Sequence, residues 1–90
     1  KRAMLTTRFA IWVAGKPDKN PFLPKLLAEL RGMTPEQVKE SLRTAKPVSR
    51  DYELEPLSGL TRPEAIRFQA ALEAGGVECR ILPTPIAQQG

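Results

Sequence analysis

Histidine is absent from the sequence and cysteine occurs once. The first absence excludes a Ser-His or Cys-His catalytic pair and any zinc site that uses histidine. The second excludes an internal disulfide and favours a reducing compartment, so a cytoplasmic location is expected. Aromatic residues are sparse: one Trp, one Tyr and three Phe. No pair of them is interleaved with basic residues along a strand, as a single-strand nucleic-acid platform requires. No apolar run approaches the ~18 residues of a spanning helix, and nothing reads as a secretory signal. The Gly-x-x-x-x-Gly-Lys phosphate loop is missing, although Gly15-Lys16 and Gly75-Gly76 are present. These absences leave no implied cofactor, metal, membrane or small-molecule substrate, and an enzyme is not expected.

What is present is a 90-residue chain, enough for one small domain with one modest core. Charged residues at 27% and hydrophobic ones at 41% make an ordinary globular balance. Nine prolines help to place the boundaries. Residues 1–6, opening on Lys1, read as a leader remnant, and residues 83–90 read as a tail or linker because Pro83 and Pro85 interrupt regular pairing. The folded unit is expected over 7–82.

Within that unit, Arg8 to Ala14 reads as a strand with Phe9, Ile11 and Val13 on one face and Arg8, Ala10 and Trp12 on the other. A short helix follows, with Asn20 as its cap, Pro21 in its first turn and Leu23, Leu26, Leu27 and Leu30 as its apolar stripe. Gly32 ends it. Thr34-Pro35-Glu36-Gln37 opens a second helix with a capping box; Val38, Leu42 and Ala45 line its buried side until Pro47. Arg50 to Leu54 forms a short edge-like strand between Pro47 and Pro56. Thr61-Arg62-Pro63-Glu64 repeats the capping logic and starts the longest helix, with Ala65, Phe68, Leu72 and, on the flank, Ile66 facing inward. Gly75-Gly76 stops it, and Val77 to Ile81 alternates as a third strand. The expected fold is α+β, β-α-α-β-α-β, with a three-stranded antiparallel sheet and helices on one face. If the last two strands run parallel, they form a split β-α-β unit.

Charge is uneven. Residues 1–50 hold 11 basic and four acidic side chains, whereas residues 51–90 hold three and six. Lys39, Arg43 and Lys46 recur at helical spacing as a ridge, and Lys25 and Arg31 on the preceding helix extend it. A solvated polar face is the plain reading; an electrostatic docking surface for an acidic protein is the sharper one. Trp12, on the sheet face away from the helices, is either an interface anchor or packed within its own chain. Cys79 faces inward with Val77 and Ile81 as a small buried hydrophobe. Asp51, Glu53 and Glu55 alternate along one strand face and read as a solvated, charge-guarded edge rather than an acid–base pair or calcium site.

The stretch Arg8 to Leu82 resembles the C-terminal domain of bacterial ribosomal stalk protein seven/twelve and the related ClpS-type adaptor fold. The resemblance rests on Gly59-Leu60-Thr61-Arg62-Pro63-Glu64-Ala65 and on Ala71-Leu72-Glu73-Ala74-Gly75-Gly76-Val77-Glu78, which match the start and finish of the family's last helix. Leu30 to Lys39 matches the inter-helix glycine and second helix. The resemblance implies a recruitment module of a bacterial cytoplasmic protein, presenting the surface of its first two helices to protein partners. Lys25 and Lys39 fall on two of the family's basic positions, while Asn20 and Ala28 occupy two others, and Thr34-Pro35 replaces a glycine-rich helix opening. The segment between Lys46 and Leu57 is longer, and the acidic character of a true stalk protein is missing, which marks a relative. Ala14-Gly15-Lys16 and Lys46 stand where a ClpS adaptor has its Asn-Asp-Asp run and histidine, so amino-terminus capture is not implied. The leading expectation is a noncatalytic adaptor domain that docks an acidic protein through the basic face of its first two helices, with Lys25, Lys39, Arg43 and Lys46 as the contact residues and Trp12 on the outer sheet face as the other candidate. The alternative is nucleic-acid binding through the basic N-terminal half.

Overall fold

The computed structural model of the chain describes residues 7–85. Four strands, β1 (Thr7–Ala14), β2 (Lys46–Val48), β3 (Asp51–Glu53) and β4 (Cys79–Pro85), form one antiparallel sheet in the order β2-β3-β1-β4. Helices α1 (Leu23–Arg31), α2 (Pro35–Arg43) and α3 (Arg62–Ala74) pack with it around a single core. The α+β class is as expected; the strand count is not.

The additional strand is β2. It folds back on β3 through a two-residue loop, Ser49-Arg50, in which Ser49 takes a positive φ of 61°. A tight hairpin needs that left-handed conformation to match strand twist. β3 is therefore an interior strand between β2 and β1, not an edge. Because β3 and β4 both run antiparallel to β1, they are parallel to each other with β1 between them. The unit β3-α3-β4 is thus the split β-α-β arrangement.

The expected tail also needs correction. Pro83 pairs with Phe9 and Pro85 with Thr7, so β4 continues three residues past Leu82. An edge strand accepts proline wherever the missing N–H would face away from its neighbour. Residues 1–6 and 86–90, assigned to the leader and the end of the tail, lie outside the described residues.

Both capping boxes form. Thr34 Oγ1 accepts the Gln37 amide at 3.2 Å and Gln37 Oε1 accepts the Thr34 amide at 3.0 Å. Thr61 and Glu64 repeat the pattern at 3.3 and 3.0 Å. The hydrogen bond from the Thr61 amide is the main cause that holds Glu64 below the usual carboxylate range. α1 starts later than expected. Asn20 Oδ1 accepts the Phe22 amide at 2.9 Å, but Phe22 is the N-cap and Pro17–Lys19 forms a separate 3-10 turn. At the other end of the fold, α3 closes with Gly76 at φ 89°, its amide on Glu73 C=O and the Val77 amide on Leu72 C=O. That double bond pattern satisfies the last carbonyls and drives Val77 into the core beside Leu72.

The core joins Ile11 and Val13 to Leu23, Leu27, Val38, Phe68 and Leu72. All of its β1 contributors have one parity, which places the three helices on one sheet face and Trp12 on the other. Cys79 is buried as expected. Ile66 is not: it is 53% exposed. The core instead takes in Leu57 and Leu60, from a 3-10 turn and from an isolated bridge to Phe9, neither of which follows strand or helix periodicity.

Candidate functional site

Thr34, Pro35 and Gly32 fold the chain sharply between α1 and α2. Gly32, at φ 61°, ends α1, and the Thr34 capping box starts α2 two residues later. The two helices lie side by side and leave a groove of about 390 Å³ between their outer surfaces. Its lining is almost wholly apolar: Pro24 and Ala28 from α1, Pro35, Val38 and Leu42 from α2. Lys25 and Lys39 stand on its two walls and are exposed. Neither lysine has a carboxylate within ion-pair distance among the described residues. On α2 the lining follows i, i+3, i+4, i+7, so one helical stripe supplies both apolar floor and cation.

The remaining sequence candidates do not extend this surface as a ridge. α2 ends at Arg43, so Lys46 is on β2 and not on the helix. There it stands opposite Glu53 in register and lines a hollow that also holds Glu55. Arg43 donates to Glu40 at 2.6 Å, and that hydrogen bond, aided by its charge, holds Glu40 below its ordinary range while Glu40 raises Arg43. Arg31 is engaged toward α3 instead: its guanidinium lies 5.7 Å from the centroid of the Phe68 ring, and that of Arg67 lies 5.4 Å from the same centroid. The wider hollow near Arg31 is flanked by Glu36, Glu40 and Glu55, which repel an acidic ligand.

Trp12 occupies the middle of a cross-strand row on the outer sheet face, between Glu53 of β3 and Arg80 of β4. It is half-buried, and its indole N–H is buried without a hydrogen-bond acceptor among the described residues. Such a donor carries an energetic cost and is not offered to solvent. Arg80 reaches diagonally to Asp51, donating through Nε at 3.1 Å and Nη2 at 2.9 Å to one carboxylate oxygen. Asp51 is therefore buried and paired, not part of a solvated edge.

Sequence reasoning brought Lys25 and Lys39 forward and missed the groove between them. Val38 and Leu42 had been read as helix packing alone and Ala28 only as the occupant of a family basic position, because only the crossing of the two helices shows which apolar side chains border a groove. Among the described residues, no three of Cys, Asp and Glu come together as a possible metal cage, and no helix is long and apolar enough to cross a membrane. The chain matches no protein-family model and shows no significant match to a curated protein.

Proposed function

We propose that the chain is a noncatalytic adaptor domain whose protein partner docks on the α1–α2 groove. The observation that carries this reading is the apolar floor with, on each wall, a lysine that has no ion-pair partner among the described residues. An apolar side chain on the floor supplies burial, at about 25 cal/mol per Å² removed from water. Acidic groups beside it meet Lys25 and Lys39, which steers the encounter and fixes orientation more than it adds affinity. Arg43, one turn beyond Lys39, lies next on the same helix but is already engaged by Glu40. Lys46 and Trp12 belong to the outer sheet face and form the competing candidate surface.

The resemblance to the stalk C-terminal domain supports the same surface, since it implies partner contact through the first two helices of a bacterial cytoplasmic protein. The longer segment between Lys46 and Leu57 corresponds to the β2–β3 hairpin and the following 3-10 turn. The hairpin lies at the sheet edge opposite β4.

The test compares protein capture and binding kinetics for the native domain, a Lys25→Glu/Lys39→Glu variant and a Lys46→Glu variant. A protein retained by the native domain and by Lys46→Glu, and bound at least tenfold more slowly by the double variant, supports the groove. Equal binding by all three contradicts it. Steeply salt-dependent binding to generic DNA or RNA, with no protein retained, supports the nucleic-acid alternative.

A further inference from the structure

Backbone pairing determines which amides on the sheet's two edges face outward. The Ala14 amide donates to Glu78 C=O at 2.9 Å. The β1–β4 register steps on from there, so Trp12 with Arg80, Ala10 with Leu82 and Arg8 with Thr84 are the hydrogen-bonded pairs. The intervening positions on β4, namely Cys79, Ile81, Pro83 and Pro85, turn their amide side away from β1 toward the open edge. On the other side of β1, Phe9 and Leu60 exchange bonds at 2.8 and 2.9 Å, which directs the odd-numbered β1 residues toward β3. Tyr52 then faces β1, and Asp51 and Glu53 face β2. Val48 and Lys46 are their partners, which leaves Pro47 as the outward position of β2.

Every proline in these two edge strands therefore occupies an outward-facing donor position. β2 presents no outward N–H within its length, and β4 keeps two, on Cys79 and Ile81, followed by two positions that have none. Proline at the inward positions would have removed a ladder bond; at the outward ones it removes only the donor that an added strand would need. Pro47 and Pro83 are also exposed, so no described part of the chain covers them. We propose that these prolines, by removing the outward donor of β2 and two of the four outward positions of β4, guard both edges of the sheet against strand addition, which keeps the domain monomeric and confines partner recognition to its side-chain surfaces. This inference stands independently of the groove, because it concerns the backbone edges alone.

The experiment measures molar mass by light scattering across a concentration series for the native chain and for Pro47→Thr, Pro83→Thr and the double variant. Threonine restores the N–H and suits a strand. Circular dichroism shows which variants keep the fold. The native chain should hold the mass of one chain throughout, and the double variant should at least double its weight-average mass at the upper end. A second measurement, amide exchange in the native chain, remains informative where a variant fails to fold: Cys79 and Ile81 should exchange rapidly at every concentration. Folded variants that stay monomeric overturn the proposal, and so does a native chain whose Cys79 and Ile81 amides gain protection as concentration rises.

Discussion

The α1–α2 face and the outer sheet face both carry basic residues, and they differ in what those residues meet. On the helical face, Lys25 and Lys39 flank apolar side chains and have no carboxylate partner among the described residues. On the sheet face, Arg80 is bound to buried Asp51 and Lys46 stands opposite Glu53. On the sheet face Arg80 is compensated by Asp51 and Lys46 lies among the carboxylates of Glu53 and Glu55; on the helical face the two lysines lie beside apolar side chains instead. The comparison teaches that a net charge of +4 says little by itself. Only pairing shows where the excess is available, and here it is available beside a groove.

The sharpest way to strain this comparison is to remove support from one face at a time. Leu27 is fully buried in α1 behind the groove, whereas Leu82 lies on the outer sheet face and is half-buried. Leu27→Ala should cost about 2–5 kcal/mol, as large-to-small core changes do. Leu82→Ala should cost about 1 kcal/mol or less, in line with its partial burial. Urea unfolding of both variants checks the ordering, and equal costs would mean that the two faces share the core.

A smaller effect tests the pairing itself. Asp51→Ala removes the acceptor of Arg80, whose own side chain is 63% exposed and stays solvated. The loss should be about 1 kcal/mol, well below the cost of breaking a fully buried pair. Asp51→Asn, which keeps an acceptor, should lose less. Thermal melts at low and high salt would show the difference.

The smallest effect is confined to alkaline pH. Burial, followed by the nearby Glu73 and Glu78 carboxylates, pushes the Cys79 thiol up to about 11 from an ordinary 9.0. The unfolded chain loses this proton first, so the stabilisation is complete below 9.0 and is lost as pH rises toward 11. Cys79→Ala should remove that part of the alkaline slope, measured as the change in Tm with pH. At neutral pH the native thiol should alkylate far more slowly than the thiol of the unfolded chain.

Much of the helical half was legible because capping is a local signal. Thr34 with Gln37 and Thr61 with Glu64 name their own partners three residues away, and Gly32 and Gly75-Gly76 mark the ends. The sheet was less legible, since β2 has only three residues, one of them proline, and no alternation to reveal it. Pro83 and Pro85 look like strand breakers until the sheet order makes β4 an edge. Lys39 and Lys25 stood out through charge. Lys46 was misplaced because its i+7 spacing from Lys39 assumes a helix that Arg43 already ends. The groove floor was hidden for a different reason: Val38 and Leu42 have the same periodicity whether they close a core or line an opening.

The central claim, that the α1–α2 face and not the outer sheet face receives the partner, is tested most directly by NMR shift mapping. The probe is a synthetic acidic amphipathic peptide with two leucines one helical turn apart, titrated into the 15N-labelled domain. The predicted result is saturable shifts at Lys25, Ala28, Val38, Lys39 and Leu42, lost in the Lys25→Glu/Lys39→Glu variant while the rest of the spectrum is preserved. Shifts centred on Trp12, Glu53 and Arg80, or shifts at the groove that persist unchanged in the double variant, would contradict it.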